Sequence, residues 1–123
     1  MRIMIIWDYP VTNDRGQGQN ILRVMLDIQR HVKEIEYLCR SYKISRFELF
    51  GSALSDEFSP ESDIDCVIDF VEDGGNYFER YFDFKAGLEG LFGRSVDVVV
   101  GKAIRNPYFR ASIDASRRLV YAA

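Results

Sequence analysis

The spacing of apolar residues along the chain alternates between a helical period and short continuous runs. From Ile21 to about Tyr42, apolar residues recur three and four positions apart with charged residues between them, which predicts an amphipathic helix. Phe47–Phe50 is a short aromatic and aliphatic run that Gly51 halts, and Ile64–Val71 is a longer run rich in β-branched residues. Both runs are typical of strands.

The second half of the chain repeats this alternation. Asn76 can cap a second helix, whose apolar positions keep the helical period until Gly93, a plausible terminator. Val96–Val100 predicts a third strand, Asn106–Pro107 opens a last helix as cap and first residue, and Arg118–Tyr121 could pair as an edge strand. This order of elements predicts an α+β or α/β layered fold, in which a small mixed sheet packs against helices.

Residues 1–20 differ from the rest because they are polar, rich in turn residues and without a period. They form either a flexible arm or a segment upstream of a true start near Met25. The chain has 123 residues, close to the commonest size of a single domain. We therefore predict one domain over residues 21–123, preceded by this N-terminal arm.

The charge and the cysteines exclude several classes of function. A formal net charge of −3 argues against direct, sequence-independent binding of nucleic acid, although metal ions can still bring one nucleotide to an acidic surface. Cys39 and Cys66 stand at apolar positions, as small buried residues do. The apolar run Ile3–Trp7 is too short for a signal peptide or a membrane span. We expect a cytoplasmic protein without a membrane partner.

A stripe of aromatic residues follows the helical period of the second helix. Its spacing favours a place in the core, and the alternative is a surface that binds a partner if one small core cannot bury it all. The stripe consists of Tyr77, Phe78, Tyr81, Phe82 and Phe84.

The chemistry of the chain is carried by a Gly-Ser pair that is followed, ten residues later, by two aspartates. Asp63 and Asp65 project from one side of the predicted strand, because successive side chains alternate between its faces. Two neighbouring carboxylates repel each other unless a cation such as Mg²⁺ lies between them. Gly51 lets backbone amides approach a phosphate, and the Ser52 hydroxyl can donate a hydrogen bond to it.

A third acid, Asp97, interrupts a strand whose other residues are all valine. If that strand lies beside the strand of Asp65, the three carboxylates form a cluster suited to phosphoryl or nucleotidyl transfer with two metal ions. The simpler interpretation is a solvated strand end with capping carboxylates. The joint occurrence of the Gly-Ser pair, the two aspartates and a later acid inside a strand favours the metal-binding site.

The stretches Phe50–Leu54 and Ser62–Ile68 resemble the minimal nucleotidyltransferase (MNT) branch of the DNA polymerase beta-like nucleotidyltransferase superfamily. The resemblance implies that fold, with Asp63, Asp65 and Asp97 as catalytic residues and as ligands of two Mg²⁺ ions. It implies that Gly51 and Ser52 hold the triphosphate of ATP. Members of this branch act as antitoxins of HEPN-type RNase toxins, in hetero-oligomers, and some transfer AMP to a tyrosine hydroxyl of the toxin.

Two features depart from the family pattern and leave alternatives open. Many relatives carry a basic residue shortly after the Gly-Ser pair, where this chain has Ser55 and Asp56, so that Arg94, Lys102 or another cation would have to replace it. The chain could instead be a binding antitoxin that neutralises the toxin by complex formation without catalysis. Transfer to a small-molecule hydroxyl would need an acceptor-binding domain from a partner or a second copy.

Overall fold

The fold was analysed in a computed structural model, which describes residues 3–4, 28–51 and 63–123. The described elements, in chain order, are strand β1 (Ile3–Met4), helix α1 (Val32–Ser41), strands β2 (Ile44–Phe50) and β3 (Ile64–Phe70), helix α2 (Tyr77–Phe92), strand β4 (Val96–Val100), a 3-10 helix (Gly101–Ala103), helix α3 (Pro107–Ser116) and strand β5 (Arg118–Ala122). No described helix is both long enough and apolar enough to cross a membrane.

The strands form one mixed sheet in the order β1-β5-β2-β3-β4. Strands β3 and β4 are parallel, and the other described pairs are antiparallel. A parallel pair needs a crossover connection, and helix α2 supplies it between β3 and β4. The predicted fold class, a small mixed sheet packed with helices, is therefore confirmed.

The two faces of the sheet are covered to different extents. On one face, alternate strand residues pack with α1 and α2 into the main core, which includes Phe47, Cys66 and Phe84. On the other face, a smaller cluster around Val67 and Ile113 lies under α3. Because strand side chains alternate, the aspartates of β3 and β4 fall on this second, more open face.

The predicted helix ends are confirmed by their capping bonds. Asn76 Oδ1 accepts a hydrogen bond from the backbone N of Glu79 at 3.2 Å, and Gly93 ends α2 with φ at +67°. Asn106 Oδ1 accepts from the backbone N of Tyr108 at 2.8 Å, with Pro107 as the first residue of α3. Both cysteines are free and buried, as their apolar positions predicted.

Two predicted elements differ from the observed ones. The helix expected from Ile21 is interrupted by a turn at His31, and its first residues, 21–27, lie outside the described part of the chain. Strand β5 was expected at an edge, but it lies between β2 and β1. Ile3 and Met4 of the predicted arm supply that pairing. The division of the chain at residue 20 remains a prediction.

The aromatic stripe on α2 is mostly exposed, which contradicts its predicted place in the core. Phe84 is fully buried, but 74% of Phe78, 50% of Phe82 and 37% of Tyr77 are exposed. Only one side of α2 faces the sheet, and Phe84 with Leu88 fills that space. Tyr81 is partly buried against the main core, whereas Tyr77, Phe78 and Phe82 contribute apolar surface.

Candidate active site

The parallel pairing of β3 and β4 brings two of the predicted acids together. Asp65 is in register with Asp97, and neighbouring strands lie about 4.8 Å apart. Their neighbours Ile64, Cys66 and Val96 are buried in the main core, whereas Asp65 is half-buried and Asp97 is exposed. The two carboxylates therefore occupy adjacent positions on the open face of the sheet.

Asp63 precedes β3 at the same end of the sheet. It is exposed and outside the strand, and the next residue, Ile64, donates its backbone N–H to the carbonyl of Ser95 at 3.0 Å. That bond ties the start of β3 to the turn before β4. Asp63 thus lies two residues from Asp65, near the beginning of both parallel strands.

Gly51 follows β2 directly against the Asp65 carboxylate. It has φ at +73°, and a Cβ atom built on it would lie 2.8 Å from Asp65 Oδ2. A side chain is therefore excluded by the backbone conformation and by the contact with Asp65. Ser52, the second residue of the pair, lies outside the described residues.

The backbone amide of Gly51 has a partner that the sequence analysis did not identify. It donates a hydrogen bond to Ser116 Oγ at 3.1 Å, from the last residue of α3. The end of α3 therefore helps to place the Gly51 turn beside Asp65. A bond across 65 positions of sequence gives no local signal, so pattern analysis could not have found Ser116.

The donor chemistry of this cluster suits a hard divalent cation, because carboxylate oxygens are the ligands that Mg²⁺ prefers. Within residues 28–51 and 63–123, no three His, Cys, Asp or Glu side chains converge closely enough to hold a metal ion. The register nevertheless puts Asp65 and Asp97 side by side, and the absence of a side chain on Gly51 leaves room over Asp65. The residues present therefore fit such an ion in the kind of ligand they offer, and two of them lie on adjacent positions of neighbouring strands.

The acids also affect the core beneath them. Burial raises the pKa of the Cys66 thiol, and the charges of Asp97 and Asp65 raise it further. Cys66 therefore stays a neutral thiol at physiological pH and is not a nucleophile.

The structure separates the two basic residues that were considered for the triphosphate. Lys102 follows the far end of β4, about five residues or roughly 16 Å along the strand from the acids, and it pairs there with Glu72. Arg94 precedes β4 at the same end as Asp97. By location, Arg94 fits better as a phosphate contact than Lys102.

Glu48, a further carboxylate on the open face, is buried and paired. Arg46 Nε donates to it at 2.8 Å and Arg117 Nε at 2.9 Å. Burial pushes the pKa of Glu48 upward, but the hydrogen bonds from Arg117 and Arg46 outweigh that effect, and the pKa is lowered. Glu48 therefore remains ionised and links β2 to the end of α3.

Comparisons with known proteins bear on the family and the fold of this chain. A family model described as a nucleotidyltransferase domain matches residues 32–120. A protein of Methanocaldococcus jannaschii, provisionally named a protein adenylyltransferase, is 38% identical over 88 residues, which cover 72% of this chain and 86% of that protein.

Two solved structures share the fold. A structure described provisionally as a minimal nucleotidyltransferase has a TM-score of 0.61 at 21% identity, covering 87% of this chain and 98% of that one. A chain from the complex of a tri-AMPylated HEPN toxin of Shewanella oneidensis with an MNT antitoxin has a TM-score of 0.55 at 18% identity. It covers 77% of this chain and 72% of that one.

Proposed function

This chain belongs to the nucleotidyltransferase domain family, and on that premise we propose that it transfers AMP from ATP to a tyrosine hydroxyl of a HEPN-type toxin, as the antitoxin of the pair. The observation that carries the proposal is the register of Asp65 with Asp97, beside a glycine that leaves the Asp65 carboxylate accessible. The names of the relatives support AMP as the group transferred.

Each site residue has a task that its chemistry supports. Gly51 and Ser52 would bind the triphosphate at the end of β2. Asp63, Asp65 and Asp97 would hold Mg²⁺, which supplies positive charge that offsets the charge of the triphosphate and of the leaving pyrophosphate. Asp97 would accept the proton of the acceptor hydroxyl.

The reaction exchanges a phosphoanhydride bond of ATP for a phosphoester bond to the acceptor. The tyrosine oxygen attacks the α-phosphorus of ATP, and the bond from that phosphorus to the bridging oxygen of the β-phosphate breaks. Pyrophosphate leaves with the electron pair, and the proton of the phenol passes to the carboxylate. The exposed position of Asp97 suits this proton transfer, because solvent and substrate can reach its carboxyl group directly.

A specific observation also supports the second candidate, an antitoxin that acts by binding alone. Phe78 and Phe82 pack against each other with ring centroids 4.9 Å apart, and both are at least half exposed. Exposed aromatic clusters are frequent in protein–protein interfaces. The same surface would serve the hetero-oligomer that the enzymatic hypothesis requires.

The test is to mix the purified protein with its co-encoded neighbour, Mg²⁺ and each nucleoside triphosphate, and to record the intact mass of both proteins. Asp63→Asn and Asp97→Asn should abolish the addition of AMP. The matched control is Asp69→Asn, because Asp69 lies on the same strand and face as Asp65 but bonds the backbone N of Lys102 at 3.1 Å. Transfer that survives in Asp97→Asn would refute the catalytic assignment.

The two candidates are separated by the behaviour of the inactive variants in cells. If catalysis neutralises the toxin, Asp63→Asn should fail to protect cells from it while still forming the complex. Protection by Asp63→Asn at the level of the unchanged protein would support neutralisation by binding alone.

A further inference from the structure

Strand β4 is the last strand of the described sheet, and side chains of α2 bind its outer backbone groups. Tyr81 Oη donates to the carbonyl of Val98 at 2.7 Å, and Lys85 Nζ donates to the carbonyl of Val96 at 2.7 Å. Glu89 Oε2 accepts from the backbone N of Val96 at 3.1 Å. The helix thus takes the place of a further strand along this edge.

The three side chains come from positions 81, 85 and 89, which lie on one face of α2 because their spacing is four residues. We call Tyr81, Lys85 and Glu89 the polar ladder. Lys85 Nζ also donates to Glu89 Oε2 at 3.0 Å, so the members support one another. The hydrogen bond to Glu89 raises the pKa of Lys85, and burial raises the pKa of Tyr81. Both therefore remain protonated donors at neutral pH.

The polar ladder holds the two residues that flank Asp97. Its bonds fix the backbone of Val96 and of Val98, and the Asp97 side chain leaves the strand between them on the open face. The position of Asp97 against Asp65 is therefore set from two sides, by β3 through the register and by α2 through the ladder.

We infer that Tyr81, Lys85 and Glu89 are positioning residues for nucleotidyl transfer, which hold Asp97 at the distance from Asp65 that the reaction requires. This inference rests on the proposed function of Asp97. A shift of about 1 Å in a reacting group can reduce a rate about a hundredfold. An edge strand without these bonds could move by such an amount while the fold stays intact.

A purely structural role makes a different prediction. If the ladder only protects the sheet edge against pairing with other chains, its loss should lower stability and leave kcat unchanged. If it positions Asp97, its loss should lower kcat and leave the KM for ATP nearly constant, because the triphosphate is held at Gly51 on the other side of Asp65.

The test compares two substitutions that each remove one phenolic oxygen from α2. Tyr81→Phe should lower kcat about tenfold, with the KM for ATP within about twofold. Tyr77→Phe is the matched control, because Tyr77 Oη bonds only the exposed turn at Asp73 and Gly74 in the described structure. Equal kcat values in the two variants would overturn the inference.

A second pair of variants covers the case in which Tyr81→Phe does not fold. Lys85→Met removes the donor to Val96, whereas Lys85→Arg keeps a donor of similar reach. Lys85→Met should lose activity to a similar extent, about tenfold, and Lys85→Arg should recover most of it. Identical rates for Met and Arg at this position would count against positioning.

A readout independent of activity separates failure of this inference from failure of the proposed function. Amide hydrogen exchange in β4 should be faster in Tyr81→Phe than in Tyr77→Phe, since the former loses a strand contact. If the unchanged protein transfers no AMP, the proposed function fails, and faster exchange still supports the ladder. Equal rates of amide exchange in β4 for both variants would show that the polar ladder does not hold β4, whether or not the protein is active.

Discussion

The open face of the sheet carries carboxylates in two opposite electrostatic situations, which we treat as two groups of charged residues. Glu48 is buried and receives hydrogen bonds from two arginines, Arg46 and Arg117. Asp65, on the neighbouring strand, lies in register with a second acid, Asp97. The first group, Glu48 with its two arginines, pairs negative charge with positive charge. The second group, Asp65 with Asp97, places two negative charges on adjacent positions.

This difference indicates that the group around Glu48 contributes to stability and the group of Asp65 and Asp97 to function. A carboxylate matched by arginines contributes to the folded state, and removing it leaves the arginines without their partner. The repulsion between two adjacent carboxylates slightly destabilises the folded state. Such a pair is therefore typical of a functional site, where a bound cation or a proton transfer requires both carboxylates. The two groups should therefore respond to substitution in opposite ways.

The largest expected effect is on transfer, at the acidic pair. Asp65→Asn should reduce AMP transfer roughly 1,000-fold, the order expected for loss of a catalytic or ligating carboxylate. The same change should alter the free energy of unfolding by no more than about 0.5 kcal/mol, because asparagine keeps the size of the side chain and its capacity to form hydrogen bonds. Initial rates and urea denaturation of the same preparation check both. Loss of both activity and stability would show that Asp65 belongs with the structural group.

The converse result is expected for the paired carboxylate. Glu48→Gln should lower the free energy of unfolding by about 2 kcal/mol, less than for a fully buried pair because Arg46 and Arg117 are partly exposed. The rate of transfer at a temperature where the variant is folded should stay within about threefold of the unchanged protein, since Glu48 does not contact the proposed site. A much larger loss of activity would mean that the two groups are coupled.

The strands and the face that carries the acids were largely predictable from the sequence, whereas the pairing of the strands was not. Alternation put Asp65 and Cys66 on opposite faces of β3, but the position of β4 beside β3 entered the sequence analysis only as a condition. Caps such as Asn76 and Asn106 are local interactions, so short stretches of sequence predict them well.

The partners of these residues were not predictable, because they depend on which element covers which face. Tyr81 and Phe82 share the helical period with Phe84, yet Tyr81 bonds the edge of β4 and Phe82 faces outward. Glu48 is a polar residue within a strand, and only the return of the chain after α3 brings Arg117 to it. The hydrophobic period of a segment predicts on which face a residue lies, but only the tertiary packing determines which element covers that face.

A smaller effect should appear at acidic pH. The folded pKa of Glu48 lies below its ordinary value of 4.5, so its carboxylate stabilises the fold above that pH and loses this contribution as the pH falls through the folded pKa. Asp73 behaves similarly, since the hydrogen bond from the Gly75 backbone and its cationic neighbours lower its pKa to about 2. The stability difference between the unchanged protein and Glu48→Gln should therefore shrink below about pH 4.5. A constant difference would contradict the charged pairing.

The smallest expected effect is at the residue that joins the two groups. Ser116 accepts the N–H of Gly51, and the next residue, Arg117, binds Glu48, so the end of α3 contacts both. Ser116→Ala should lower the free energy of unfolding by about 1 kcal/mol, the usual value of one such bond. It should also raise the KM for ATP about threefold, or about 0.6 kcal/mol, with little change in kcat, since the Gly51 turn loses a support.

The matched control for this change is Ser112→Ala, an exposed serine on the same helix. It should alter neither the KM nor the stability by more than about 0.5 kcal/mol. If Ser116→Ala instead lowers the KM, then Ser116 competes with the triphosphate for the Gly51 amide rather than holding the turn for it. Either direction would show that α3, the element that neutralises Glu48 through Arg117, also acts on the acidic site. Identical kinetics for the two serine variants would show that the end of α3 has no influence on the acidic site.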